Sequence, residues 1–371
     1  MNASEQQILM HTITAIDNNT QEYMKLRSDN YSSWFGPSKL LPNADENGTI
    51  MDFAIVGFAK CGTTTMEANL GYIAPMPIGD ICTPVSQTVY YSYKSWPKEH
   101  GEEKLFRGTK CPAFIQGNWL DEWSKHLPRT KLIIGIRHPV AWFKSFWDMQ
   151  ANRGNVPLGG PYELTTPCFG KSCRNGCPGR QLFCLHRGRF HLALAKLGKT
   201  ALTGEERKML APNDADGGEN LRSSGIKNPI FLYDQQELSQ DYVWEELAEY
   251  LGVNHIPHDK YQSSHPKRHD RNLDFCEEKY DDFRAMMMPY AYELSVWLQE
   301  YLIPVANDDG RDDVVIPRAD SSFSKRVEDY KNDPCGKLIR SDNGTYVRSG
   351  VTAVAISAGE AAAADEAVAG A

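Results

Sequence analysis

DFAIVGFAKCGTT, residues 52–64, decides how this chain folds. Residues 52–57 form a short apolar run of the kind that makes a buried strand. A glycine-bounded turn follows. Thr63, Met66, Leu70 and Ile73 then recur at helical spacing, which predicts a helix to about residue 73. A strand, a Gly-containing loop and a helix start together form an anion cradle, because backbone N–H groups converge there and the helix dipole adds positive potential. The ATP-binding Walker A loop needs its lysine directly after the second glycine. Here Thr63 follows Gly62 and Lys60 lies inside the loop, which argues against a kinase or ATPase. The plain alternative is a Gly-rich strand-to-helix turn with an incidental lysine.

The same alternation continues outward. Residues 74–104, with four prolines and several tyrosines, read as loop. KLFRGTK (104–110) is strand-like, and Trp119, Leu120, Trp123 and Leu127 mark a helix. KLIIGI (131–136) is the clearest strand in the chain. Pro139 then sits where a helix can begin without its missing N–H, and Trp142, Phe143, Phe146 and Met149 form the stripe of that helix. A short helix is predicted over 188–198 and a polar loop over 199–226. PIFLY (229–233) is another strand, followed by a helix carrying Leu238, Val243, Leu247 and Leu251. A basic loop spans 263–272, and an amphipathic stretch runs over 277–302 with a break expected at Pro289. Strands alternating with helices predict an α/β fold, a doubly wound parallel sheet flanked by helices in a single domain over 51–305. Residues 1–50 read as a polar lead-in and 152–187 as a Cys-rich insertion. Residues 306–371 read as a C-terminal extension, disordered from about 340. Ligands of such sheets bind at the carboxyl ends of strands, so the loops after residues 57, 110 and 136 are where chemistry is expected.

Composition narrows the function classes. The 371 residues are 41% hydrophobic and 24% charged, enough for an ordinary core, and the net charge of −8 is wrong for a nucleic-acid coat. No apolar run reaches the length of a membrane-spanning helix. The first 26 residues lack the apolar segment of a signal peptide, which read literally is cytoplasmic. Two features point elsewhere. Asn-x-Ser/Thr sequons stand at Asn2, Asn18, Asn30, Asn47 and Asn343, all in the terminal segments, although polar tails also produce sequons by chance. Cys168, Cys173, Cys177 and Cys184 cluster in a Gly-rich insert, which is the pattern of a disulfide-stapled loop in an oxidising lumen. Zinc is the rival, but spacings of four, three and six residues miss the usual knuckle, and unlinked thiols remain open.

A strand followed by GxxKxGTT resembles the 5′-phosphosulfate loop of the PAPS-dependent sulfotransferases. The resemblance implies that Lys60 contacts the bridging oxygen between phosphate and sulfate, and that Cys61, Gly62, Thr63 and Thr64 hold the 5′-phosphate. The family's second signature is an Arg ending a later strand, Pro two residues on and Ser eight residues on. KLIIGIRHPVAWFKSFW supplies Arg137, Pro139 and Ser145. By resemblance, Arg137 and Ser145 grip the 3′-phosphate. The spacing makes physical sense, since residues 138, 141, 142, 145 and 149 share a helix face and Arg is a natural phosphate fork.

Between these motifs lies GTKCPAF (108–114), with no histidine of the kind that serves as base in the phenol and steroid enzymes. It is similar instead to the Lys-Ser-Pro-x-Tyr/Phe segment of the heparan-sulfate-type, Golgi-lumenal enzymes, with Phe114 at the aromatic position. Lys110 is thereby implied to steady the sulfuryl group or the acceptor. That subclass carries an acidic base about twenty residues after the loop lysine, where this chain has Asp80 rather than the usual Glu. Glu67 on the first helix competes for the role, and a solvated helix face is its plainer account. HRGRFHLALAKL and NPIFLYDQQEL also resemble the family, but its Lys-Gly-Arg loop is missing, and Lys267, Arg268 and Arg271 of the basic loop are the candidate replacements. Over residues 51–305 the resemblance therefore implies a P-loop-like sulfotransferase fold, PAPS as co-substrate, no metal, and a hydroxyl or amine acceptor, favouring a carbohydrate. A Golgi or secretory location follows from the subclass. The alternatives are a sulfotransferase for a small hydroxylated metabolite and a non-catalytic PAP(S)-binding protein.

Overall fold

The computed structural model describes residues 51–74, 85, 88, 106–112, 114–116, 119–152, 227–258, 274–307, 314–319 and 321–349. The lead-in 1–50, the insertion with Cys168–Cys184, the helix expected over 188–198, the polar loop 199–226, the basic loop 263–272 and the tail beyond 349 lie outside the described residues.

Five strands form one parallel sheet: β1 (Phe53–Ile55), β2 (Gly108–Lys110), β3 (Lys131–Ile136), β4 (Ile230–Asp234) and β5 (Val314–Val315). Their order is β2-β1-β3-β4-β5. Every pair is parallel, with Ile55 opposite both Lys110 and Ile133. The α/β parallel-sheet expectation holds. Helices α1 (Thr63–Leu70), α2 (Trp119–His126), α3 (Pro139–Asn152), α4 (Asp241–Leu251) and α5 (Asp281–Trp297) follow the strands.

The strands are apolar on both faces because helices cover both. Side chains alternate across the sheet. Phe53, Ile55, Ile133, Phe231 and Tyr233 pack with Met66 and Leu70 of α1 and with Val243, Trp244 and Leu247 of α4. Ala54, Val56, Leu132, Ile134, Ile136 and Leu232 pack on the other side with Trp123 of α2, Trp142 and Phe146 of α3 and Phe283 of α5. Each fully buried side chain of this size contributes about 1.5–3 kcal/mol, so both layers are integral to the fold. Gly252 ends α4 in the left-handed conformation (φ 79°), its N–H bonding to Ala248 O at 2.9 Å.

Two expectations about the C-terminal third need correction. Pro289 does not break α5, which continues from Asp281 to Trp297. Met287, Met288, Ala291 and Leu294 are buried on either side of the proline, and that packing outweighs one missing hydrogen bond. The irregular geometry lies further on, in a π turn over Leu298–Leu302 before a last helical turn, Ile303–Ala306. Regular structure also does not run out at about residue 340. Helix α6 (Ser322–Asp329) leads into an antiparallel hairpin of β6 (Leu338–Arg340) and β7 (Tyr346–Arg348).

That extension is clasped to the domain by bonds that sequence spacing could not reveal. Cys276 and Cys335, 59 positions apart, form a disulfide. Beside it Arg284 Nε meets Asp333 Oδ1 at 3.1 Å, with neither side chain exposed. Asp333 also accepts from the backbone N–H groups of Cys335, Lys337 and Leu338. Arg348 Nη1 reaches Glu278 Oε1 at 2.6 Å, and Arg348 also pairs with Asp281. No helix among the described residues is long and apolar enough to cross a membrane.

Candidate functional site

The strand order locates the site before any side chain is considered. From β1 the chain first adds β2 on one side and then crosses back to add β3 on the other. The loops leaving β1 and β3 therefore diverge and open a crevice at the carboxyl ends of these neighbouring strands. Residues 56–62 follow β1, and Arg137 follows β3 directly.

The β1 loop is a tight structure with two left-handed residues, Lys60 (φ 68°) and Gly62 (φ 81°). Glycine adopts this region freely, whereas for lysine it costs about 1–2 kcal/mol. Three consecutive carbonyls are tied back into the protein. Trp142 Nε1 donates to Ala59 O at 2.7 Å, Arg137 Nη1 to Lys60 O at 3.3 Å and Tyr233 Oη to Cys61 O at 3.0 Å. With these carbonyls tied back, the loop is fixed against the start of α1. The first helical bond of the turn is Met66 N to Gly62 O at 2.9 Å, so Thr63, Thr64 and Thr65 stand at the positions where a helix cannot satisfy its own amides. No side chain caps this end.

Glycines allow the loop to sit this close. A Cβ on Gly57 would fall 2.5 Å from Gly135 N. One on Gly135 would fall 2.5 Å from Cys61 O and 2.6 Å from the Tyr233 ring. The Cys61 thiol is fully buried and burial pushes its pKa well up, so it packs rather than reacts.

The β3 side supplies the second half. Arg137 is partly exposed, and its Nε is buried without a hydrogen-bond partner. His138 caps α3, its Nδ1 accepting from Val140 N at 3.2 Å, and its own O accepts from Trp142 N at 2.8 Å. Burial pushes the His138 pKa down to about 4, against the opposing pull of the Asn332 and Tyr330 backbone and Asp333. Ser145 is partly exposed one turn beyond Trp142, on the helix face whose indole already touches the loop.

The Lys110 side chain ends β2, is 8% exposed, and donates from Nζ to Glu67 Oε2 of α1 at 2.7 Å. Glu67 is thus not a solvated helix position, as its plainer account held, but the anchor of the lysine at the next strand end. Cys111 beside it is disulfide-bonded. The structure brings together Lys60, Cys61, Gly62, Thr63, Thr64 and Arg137, sets Ser145 on the adjoining helix, and ties Lys110 to α1. Asp80, Lys267, Arg268 and Arg271 lie outside the described residues.

Sequence reasoning missed three contributors. Trp142 and Tyr233 read as core aromatics, yet each spends its polar atom on the loop; a tyrosine or tryptophan in an apolar stripe is the signal, because its N–H or O–H needs a buried partner. Asp234, directly after Tyr233, was the third. It is 1% exposed, accepts from Tyr330 Oη and Gln236 N, and burial raises its pKa. Tyr330 immediately follows α6, so the C-terminal extension reaches the strand end next to the loop.

No family model and no curated protein matches the chain. Among solved structures it is similar to a sulfotransferase from Alicyclobacillus acidocaldarius. The identity is 14% and the TM-score 0.44, over 67% of this chain and 96% of that one.

Proposed function

We propose that this chain is a PAPS-dependent sulfotransferase acting on a hydroxyl or amine of a carbohydrate acceptor. The observation that carries the proposal is the bond from Arg137 Nη1 to Lys60 O, which joins two motifs 77 residues apart into one crevice. The residues present fit an adenosine nucleotide phosphorylated at both ends. The amides of Gly62, Thr63 and Thr64 suit the 5′-phosphate at a helix N-terminus. The buried, unpartnered Nε of Arg137 is a donor awaiting an anion, and Ser145 stands on the helix that Arg137 introduces.

PAPS, when bound, supplies a sulfuryl group and departs as the bisphosphate. Lys60 neutralises charge on the bridging oxygen as that bond breaks. Lys110, held by Glu67, steadies the sulfuryl oxygens or the acceptor. A carboxylate takes the acceptor proton. Asp80 is the candidate by position in the sequence, and Glu67 is favoured by its 2.7 Å contact with Lys110. Lys267 and Arg268 are assigned to close over the nucleotide. The compartment implied by a glycan acceptor is the Golgi lumen or secretory pathway.

The test is transfer of labelled sulfuryl from PAPS to a panel of glycans and small phenols. Glycan labelling that is lost in Asp80→Ala supports the full assignment. Labelling that survives Asp80→Ala but not Glu67→Gln moves the base to Glu67. Labelling of phenols alone favours a small-metabolite enzyme, and no labelling with intact nucleotide binding favours a non-catalytic binding protein.

A further inference from the structure

We propose that Asn343 is an N-glycosylation site and that the chain therefore matures in the secretory lumen. The inference does not depend on the sulfotransferase assignment. Asn343-Gly344-Thr345 is the one sequon that falls within the described residues. It stands at the turn between β6 and β7, where Asp342, Asn343 and Thr345 are all exposed. The hairpin backbone is satisfied around it, with Ser341 N donating to Thr345 O at 2.7 Å and Gly344 N to Ser341 O at 2.9 Å. A large substituent here meets solvent rather than a packed neighbour.

The side chain is presented in a useful way. Asn343 Oδ1 accepts from Ser341 Oγ at 2.5 Å, Thr345 Oγ1 at 2.6 Å and Thr345 N at 3.1 Å. All three bonds fall on the carbonyl end, so the amide nitrogen, the atom that takes a sugar, is the end left outward. The hydroxyl two positions on, which the sequon requires, is already paired to the same side chain.

Cysteine chemistry gives an independent reason. Cys276–Cys335 is a disulfide, Cys111 is disulfide-bonded, and Cys61, the free cysteine among the described residues, is buried. Cytosolic chains keep such thiols reduced, whereas the lumen that oxidises them also holds the glycosylation machinery. The modification would form a bond from Asn343 Nδ2 to the anomeric carbon of an oligosaccharide. The donor is a polyprenyl-diphosphate-linked oligosaccharide; its anomeric C–O bond breaks, the diphosphate leaves with the electron pair, and the amide proton passes to a carboxylate of the transferase.

The test is to express the full chain behind a cleavable secretion leader in a eukaryotic cell and to recover both secreted and retained protein. Peptide-N-glycosidase treatment in oxygen-18 water should convert Asn343 to Asp carrying the heavy oxygen. The signal should vanish in Thr345→Ala, which leaves Asn343 in place. It should also vanish in Asn343→Asp, which keeps the oxygen acceptor of the turn and should melt like the unglycosylated wild-type chain. Lumenal chain with its Cys276–Cys335 bond formed and Asn343 unmodified would overturn the proposal. So would glycan confined to the sequons before residue 50.

Discussion

The loop after β1 and the clasp at the C-terminus are both tied down over long sequence separations, but by opposite means. The loop carries no disulfide, its Cys61 being a free, buried thiol. Hydrogen bonds from Trp142, Arg137 and Tyr233 tie down three successive carbonyls, and it carries a lysine in a left-handed conformation. The clasp has a disulfide and a fully buried Arg284–Asp333 pair. The difference separates shape from stability. The loop is held in a strained form ahead of a helix N-terminus, the arrangement expected of an anion site. The clasp adds stability through a crosslink and a buried ion pair.

The largest effect should come from the clasp. Asp333→Ala removes one of the two carboxylates that pair with Arg284, Asp281 remaining, and leaves three backbone N–H groups without their acceptor, so we expect a loss of about 3–5 kcal/mol by chemical denaturation. Replacing both Cys276 and Cys335 by Ser should cost about 4 kcal/mol on loop-closure grounds. In each case the turnover of the molecules that remain folded should be unchanged; a matching collapse in turnover would erase the distinction between the two regions.

Lys60→Ala should do the reverse. Turnover should fall by about two to three orders of magnitude, as for loss of one charge-stabilising donor, with little change in melting. Lys60→Gly should be as inactive yet more stable than Lys60→Ala, by up to about 1 kcal/mol, because glycine relieves the φ of 68°. Equal stabilities would mean that the left-handed backbone carries no strain.

His138 lies between the two regions, packed edge-on to Tyr330 at 5.3 Å and next to Arg137 in sequence. Its pKa of about 4 in the fold lies below the ordinary 6.5, so the unfolded chain binds the proton first. It therefore contributes stability at neutral pH that is lost as pH falls from about 6.5 to 4, in total about 3 kcal/mol. Asp234 and Glu237 have raised pKa values and act in the opposite direction over acid pH, so the comparison should be with His138→Asn, which keeps a cap and removes the titration. A smaller acid loss in the variant is expected; identical pH profiles would mean that His138 is not buried in its neutral form.

Much of this was legible in the sequence where the signal was local. DFAIVG, KLIIGI and PIFLY gave β1, β3 and β4 because strands buried on both faces are unbroken apolar runs. Lys60 and Arg137 stood out as candidates because each follows such a run. The disulfide was not, since Cys276 and Cys335 carry no spacing pattern. Nor was the role of Glu67, whose partner Lys110 is 43 residues away. Pro289 was misread because a rule for isolated helices ignores the methionines and alanine that hold both halves of α5 in the core.

The central claim is that Lys60 and Arg137 grip two phosphates of one nucleotide, and a thermal-shift comparison of 3′-phosphoadenosine 5′-phosphate with ADP tests it most directly. A ligand at about 100 times its Kd stabilises by roughly 2.7 kcal/mol. We predict a shift of that order with the 3′,5′-bisphosphate, little with ADP at the same concentration, and loss of the difference in Arg137→Ala. Equal shifts with both nucleotides would contradict the account.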